Sequence, residues 1–195
     1  MEALEDSQVE GFARFLSLLQ RWNSQMNLTA IRDEEGILRR HFVESIVCAR
    51  SLPAGIASLL DFGSGAGFPG IPIALCHPEI DVTLAESQGK KAAFLMEAVR
   101  VLGVKTMVHS GRAESLLDVF DCVTLRAVDK MEAAVQAAAR LVRAGGWLAL
   151  MTTGRELETL KAAAGVDFFW QETLPLSGSE DRILALGARA ISFPS

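Results

Sequence analysis

Asp61-Phe62-Gly63-Ser64-Gly65-Ala66-Gly67-Phe68-Pro69-Gly70 decides the fold of this chain. An apolar run, Ile56 to Leu60 with one serine, leads into it, and a helix-compatible run, Ile71 to Cys76, leads out. That order is a strand, a glycine turn and a helix start. Glycine permits positive φ and lets a ligand lie against bare backbone. The helix start adds unpaired N–H groups and the positive end of a dipole. Together they point to a nucleotide-like ligand.

Three glycine motifs compete for the stretch. A phosphate-binding P-loop needs a lysine after its last glycine, and none follows here. A dinucleotide fingerprint is met by Gly65, Gly67 and Gly70, although Pro69 has no N–H and reads better as a first helical residue. The third motif, acidic-x-Gly-x-Gly-x-Gly, is met by Asp61, Gly63, Gly65 and Gly67. It resembles the first motif of class I S-adenosylmethionine methyltransferases. A second acid, expected about 20 residues on to grip ribose hydroxyls, is supplied by Glu86 at the end of Asp81-Val82-Thr83-Leu84-Ala85-Glu86. That acid suits NAD and S-adenosylmethionine alike.

The chain has 195 residues, half of them hydrophobic, enough for one globular domain. No apolar run reaches the ~18 residues of a membrane span, and the acidic N-terminus lacks a signal-peptide layout. Cys48, Cys76 and Cys122 form no metal or disulfide pattern, and the three histidines have no zinc-binding spacing. The expectation is a monomer in a reducing cytoplasm, with no metal. The net charge of −5 is unusual for a nucleic-acid binder, whose affinity rests on Lys and Arg.

Val9, Phe12, Leu16 and Leu19 recur at helical spacing over residues ~5–25. Asp33 is a plausible N-cap for a second helix with Leu38, Phe42 and Ile46 on one face, ended by Pro53 and Gly55. Residues 1–55 therefore form a helical cap ahead of a core over 56–195. Strands are expected at 58–62, 81–86, 105–109, 121–126, 146–152, 166–174 and 182–189. Helices near 70–77, 88–102, 111–117, 130–143 and 155–164 lie between the first six. This alternation is α/β with a parallel sheet. A short turn from Pro175 to Asp181 makes the last strand antiparallel. Seven strands with an antiparallel last one is the Rossmann-like class I methyltransferase arrangement, and it tilts the cofactor choice toward S-adenosylmethionine.

Asn27-Leu28-Thr29-Ala30-Ile31-Arg32-Asp33 and Arg40-His41-Phe42-Val43-Glu44-Ser45, taken with Asp61 to Pro72, closely resemble the ribosomal RNA small-subunit methyltransferase G family, also called the glucose-inhibited division protein B family. Gly111-Arg112-Ala113-Glu114 and Leu125-Arg126-Ala127 resemble two later signatures of it. The resemblance implies S-adenosylmethionine-dependent N7 methylation of one guanine in the decoding region of 16S rRNA, with that RNA or the small ribosomal subunit as partner. It implies cofactor contacts at Asp61, Gly63, Gly65, Phe68, Glu86, Ala113, Glu114 and Arg126, with Arg126 also orienting the reactants. Asn27, Arg40 and His41 match the N-terminal signature and are candidate RNA contacts. Two positions depart from the family pattern. Met151-Thr152-Thr153-Gly154 lacks a lysine common before that glycine, and Asp181-Arg182 replaces an Arg-His pair. Both changes remove positive charge.

Guanine N7 is a lone-pair acceptor without a proton, so its methylation needs no general base. Alignment of two reactants can contribute ~7–11 kcal/mol. Adenine-N6 enzymes carry Asn/Asp-Pro-Pro-aromatic after strand four, where this chain has Thr124-Leu125-Arg126-Ala127. A cytosine-C5 mechanism needs a cysteine nucleophile, and Cys122 reads instead as a buried strand thiol. A small-molecule methyltransferase and an NAD(P)-binding oxidoreductase stay open as alternatives. Arg126 could also form a strand-end salt bridge with Asp129 or Glu114. Phe68 divides between a wall of the cofactor site and plain packing.

Overall fold

The computed structural model describes residues 3–176 and 181–191. Helix α1 (Asp6–Asn23) opens with a capping box in which the Gln8 side chain accepts from the Glu5 N–H at 3.1 Å. Its buried stripe runs through Phe12, Phe15, Leu18 and Leu19, whereas Val9, expected on that face, is 51% exposed. Asp33 caps the second helix as expected, its carboxylate accepting from the Gly36 N–H at 2.6 Å. This helix has three segments: α2 (Glu34–Ile37), a π-helical turn Leu38–Val43, and α3 (Glu44–Arg50). The wider π turn rotates the stripe, so Ile37 is buried and Leu38 faces outward.

Strands β1 (Ser58–Phe62), β2 (Asp81–Ala85), β3 (Thr106–His109), β4 (Phe120–Arg126) and β5 (Val142–Thr153) are parallel, in the order β3-β2-β1-β4-β5. Strand β8 (Arg182–Arg189) follows antiparallel to β5, and β6 (Phe168–Trp170) lies outside it. The expected strand over 166–174 is interrupted. Its second piece, β7 (Leu174–Pro175), also pairs with β8, and Pro175 has no N–H with which to continue a ladder. Ring atoms of Trp170 would lie 3.0 Å from a Cβ at position 187, so Gly187 lets the two strands close. Most of the expected Pro175-to-Asp181 turn lies outside the described residues.

Helices α4 (Gly70–Cys76), α5 (Gly89–Leu102), α6 (Met131–Leu141) and α7 (Leu157–Ala164) link the strands. The helix expected at 111–117 is only a 3-10 turn, Ala113–Ser115. Ala113 is buried and Leu116 partly so, but Leu117 is 98% exposed, so the segment has little apolar face to bury, which is what stabilises short helices. Alternate residues of each strand point to opposite faces. Leu59, Val82, Leu84 and Cys122 join α1, α3, α4 and α5 in one apolar cluster. Leu60, Phe62, Val123 and Leu125 join α6 and α7 in the other. The cap thus shares its core with one face of the sheet. Strand order reverses between β1 and β4, and ligands of open α/β sheets bind outside the carboxyl ends of the strands at that point. Among the described residues no helix is long and apolar enough to cross a membrane.

Candidate functional site

The glycine turn begins where β1 ends. Gly63, Gly65 and Gly67 have φ of 72°, 57° and 87°, a region that L side chains rarely adopt. The loop is stitched to its surroundings by Ser64 N–H donating to the Ala85 carbonyl at 3.0 Å and Gly67 N–H to the Ser64 carbonyl at 2.7 Å. Asp61 holds it from below. Its carboxylate accepts from the Gly70 N–H at 3.1 Å and the Thr124 hydroxyl at 2.8 Å. A Cβ on Gly70 would lie 2.3 Å from a Leu84 methyl and 2.7 Å from Asp61 Oδ2, so only glycine fits there. Burial pushes the Asp61 carboxyl up to about 6, against the opposing pull of its hydrogen-bond donors and Arg126. Asp61 was expected to touch the cofactor. It is 1% exposed and fully engaged inside the fold, so its role is to shape the loop.

Beside the loop lies a cavity of about 320 Å³. Phe62, Gly63, Ala85 and Ser87 form one wall, Gly111 to Glu114 another, and Val128 to Lys130 with Ala133 and Ala134 the third. Glu86 sits between two of the wall residues. Its carboxylate accepts from the Gly65 N–H at 2.9 Å and the Gln88 N–H at 2.7 Å. A carboxylate offers about four lone-pair sites, so two remain for donors such as sugar hydroxyls. Ala113 and Glu114 reach the cavity as expected. Sequence reasoning missed Val128, Lys130 and Ala134. Val128 arches over the loop, 3.1 Å from where a Gly63 Cβ would be. Ala127 and Lys130 flank it with φ of 49° and 51°, and such strained non-glycine backbone clusters at functional sites. Nothing in the Ala127–Lys130 letters signals that backbone. The donor set fits an adenosine ligand: an apolar slot for a base, and a fixed carboxylate for a ribose. No lysine follows the loop glycines, as a P-loop requires.

Phe68 is elsewhere. Its ring stacks on His41 at 5.0 Å and 21°, and packs against Phe15 at 5.1 Å and Phe42 at 5.2 Å. It is 6% exposed, so it pins the loop to the cap and does not wall the cavity. His41, expected at an RNA contact, has both ring nitrogens buried without a hydrogen-bond partner. Burial, then the charges of Arg126, Arg182 and Arg40, lower its pKa to about 3, so the ring is neutral. Burial likewise pushes the Cys122 thiol well up, which removes it as a nucleophile.

Arg126 ends β4 on the carboxyl edge of the sheet. Neither Asp129 nor Glu114 pairs with it. Its partner is Glu44, at 2.9 Å, and the same Glu44 oxygen takes Arg182 at 2.7 Å. Arg126 also donates to the Arg40 carbonyl and, at 3.4 Å, to the Ser45 hydroxyl. Burial lowers the guanidinium to about 10, while Glu44 opposes that shift, so it stays charged at neutral pH. Arg182, whose position departs from the family pattern, is therefore engaged inside the protein. A sequence signal for Glu44 did exist: Ile37, His41, Glu44 and Cys48 recur at near-helical spacing, placing two polar residues in a buried stripe. Arg40 itself is exposed, one turn from this cluster. Asn27 lies apart, accepting from Arg32 at 2.7 Å beside a separate cleft of about 390 Å³ in the cap.

A profile described as rRNA small subunit methyltransferase G matches residues 8–184. A ribosomal RNA small subunit methyltransferase G of Roseiflexus sp. (strain RS-1) is 44% identical over 150 residues, 73% of this chain and 64% of that protein. The chain thus spans just under two thirds of that relative's length. A protein of the same name from Chloroflexus aggregans is 35% identical over 206 residues, covering 98% of this chain and 86% of that one. Among solved structures, an O-methyltransferase from Bacillus cereus in complex with SAH superimposes with a TM-score of 0.62 at 17% identity, covering 91% of this chain and 90% of that chain. That likeness shows a class I methyltransferase fold.

Proposed function

Because the chain belongs to the rRNA small subunit methyltransferase G family, we propose that it uses S-adenosylmethionine to methylate N7 of one guanine in the decoding region of 16S rRNA. The observation that carries the reading is Glu86, whose carboxylate is fixed by the Gly65 and Gln88 N–H groups and which stands in the chain between Ala85 and Ser87, two residues that line the 320 Å³ cavity. It favours a ribose there, and the absence of a P-loop lysine disfavours a nucleoside triphosphate. The same carboxylate also suits NAD. The family and the antiparallel β8 favour S-adenosylmethionine.

S-adenosylmethionine supplies an electrophilic methyl group on a sulfonium. The protein's contribution is binding, alignment and electrostatics. Glu86 holds the ribose, and Ala113, Ala134 and Phe62 give the adenine an apolar slot. Glu114, which lines the same cavity, would stand beside the base. Gly63 and Gly65 leave backbone open to the amino-acid end. Arg126 orients the reactants as a planar, permanently charged fork. No side chain is required to remove a proton, because N7 carries none. The enzyme works as a monomer in the cytoplasm, on the small subunit or its RNA.

RNA approaches over the cap helix, where Arg39 and Arg40 are exposed beside the Arg126 cluster. Among the described residues Arg39 has one loose pair, with Glu35 at 3.8 Å. Incubation of small subunits with S-adenosylmethionine, followed by mass spectrometry of nuclease-digested rRNA, tests the reading. It is expected to yield one 7-methylguanosine per 16S rRNA. Methyl transfer only to extract metabolites would reassign the substrate, and binding of NADH in place of S-adenosylmethionine would reassign the cofactor.

A further inference from the structure

Glu44 is a fully buried carboxylate. It lies on α3, in the cap, yet both its partners belong to the core: Arg126 on β4 and Arg182 on β8. Both bind the same oxygen, while Glu44 Oε1 has no partner among the described residues. Arg182 Nε and both His41 nitrogens, close by, are buried and unpartnered as well. Buried ion pairs are weak contributors to stability, and orphaned buried polar atoms cost stability outright. Cohesion alone is better served by the neighbouring Phe15, Phe42 and Phe68 rings. What the cluster does supply is orientation. Both terminal nitrogens of Arg126 are taken up by cap atoms: Glu44 Oε2, the Arg40 carbonyl and the Ser45 hydroxyl.

We propose that Glu44 is a positioning residue for methyl transfer: delivered from the cap, it fixes the guanidinium of Arg126 at the carboxyl edge of β4. The inference rests on the methyltransferase reading of the site. The cap is then a part of the active site, and Arg182 is a second anchor for Glu44 with no role toward substrate.

The test compares wild type, Glu44→Gln and Arg182→Met. Glu44→Gln keeps the side-chain shape and removes the charge. Arg182→Met cuts the link from cap to β8 and leaves Arg126 held. Each is assayed below its Tm for kcat on small subunits, with side-chain nitrogen NMR of the Arg126 guanidinium. Glu44→Gln keeps the weaker contacts to the Arg40 carbonyl and Ser45 hydroxyl but loses the charged one, so it is expected to speed exchange between the Arg126 Nη signals and to lower kcat at least tenfold. Arg182→Met is expected to keep those signals resolved and kcat within about threefold, a small change on the scale where tenfold is one 1.36 kcal/mol step. Equal losses in both variants that follow Tm would overturn the proposal, as would Glu44→Gln with resolved signals and wild-type kcat. A wild-type protein that transfers no methyl group would overturn the methyltransferase reading itself, an outcome told apart by the wild-type arm.

Discussion

Replacing Asp61 with asparagine is expected to stabilise this protein at pH 8 and to do little at pH 4. Burial raises the Asp61 carboxyl from its ordinary 3.8 to about 6. A raised carboxyl contributes stability that is fully present below pH 3.8 and is lost as pH rises through about 6, because the fold favours the protonated form. The gap between 3.8 and about 6 corresponds to about 3 kcal/mol, so ionised Asp61 costs about that much at pH 8. Asparagine is nearly isosteric and never ionises. Its carbonyl can accept from Gly70 N–H in place of Oδ2, now at 3.1 Å. Its amide can donate to the Thr124 hydroxyl, which then donates to the Leu60 carbonyl, 3.4 Å away. The second amide hydrogen has no acceptor of its own, so about 3 kcal/mol is the upper limit of the gain. Urea unfolding of wild type and Asp61→Asn at both pH values measures the effect. The variant is expected to gain up to about 3 kcal/mol at pH 8, or roughly 6–12 °C in Tm for a chain of this size, and less than about 1 kcal/mol at pH 4. A variant less stable at pH 8, or an equal difference at both pH values, would refute the assignment of a desolvated, disfavoured carboxylate.

Four further substitutions probe the site. Glu86→Ala removes the ribose acceptor and strands the Gly65 and Gln88 N–H groups, so calorimetry is expected to show S-adenosylmethionine binding weakened roughly 10- to 100-fold, about 1.4–2.8 kcal/mol. Phe68→Ala empties the contact between glycine loop and cap; thermal unfolding should report a loss of about 3–5 kcal/mol, typical of a buried phenylalanine. Gly70→Ala forces a Cβ to within 2.3 Å of Leu84 and 2.7 Å of Asp61, and overpacking of that kind costs about 1–3 kcal/mol, read by urea unfolding. Arg40→Ala should lower the slope of log binding constant against log salt for 16S rRNA by about 1, the signature of one lost phosphate contact; an unchanged slope would place the RNA elsewhere.

The sheet was legible because its signals are local. Apolar runs bounded by Gly and Asp gave β1 to β5, and the three spaced glycines marked the turn that the positive φ values require. Glu86 followed from its position at a strand end. The packing around the loop was harder to read. Phe68 carries the letters of a cofactor wall, yet packing against Phe15, Phe42 and His41, each far away in sequence, claims its ring. Arg126 had acids at 114 and 129 within easy sequence reach, but its partner lies 82 residues upstream on the cap. Such pairings depend on how helices dock, which periodicity does not encode. At the π turn Leu38–Val43, Ile37 takes the inward place expected of Leu38 while Phe42 stays buried: the demand comes from packing, and the helical pattern of the letters is blind to it. The strand over 166–174 was overextended because the chain leaves the ladder between Trp170 and Leu174 and rejoins β8 as a separate short piece.

The central claim is that the cavity beside Gly63, Glu86 and Ala113 is the cofactor site. A crystal of this protein soaked with S-adenosylhomocysteine tests it most directly. The account requires density with the ribose hydroxyls on the Glu86 carboxylate and the base between Ala113 and Ala134. An empty cavity at saturating ligand, or the same ligand lodged in the groove between α6 and α7 around Arg155 and Thr159, would contradict it.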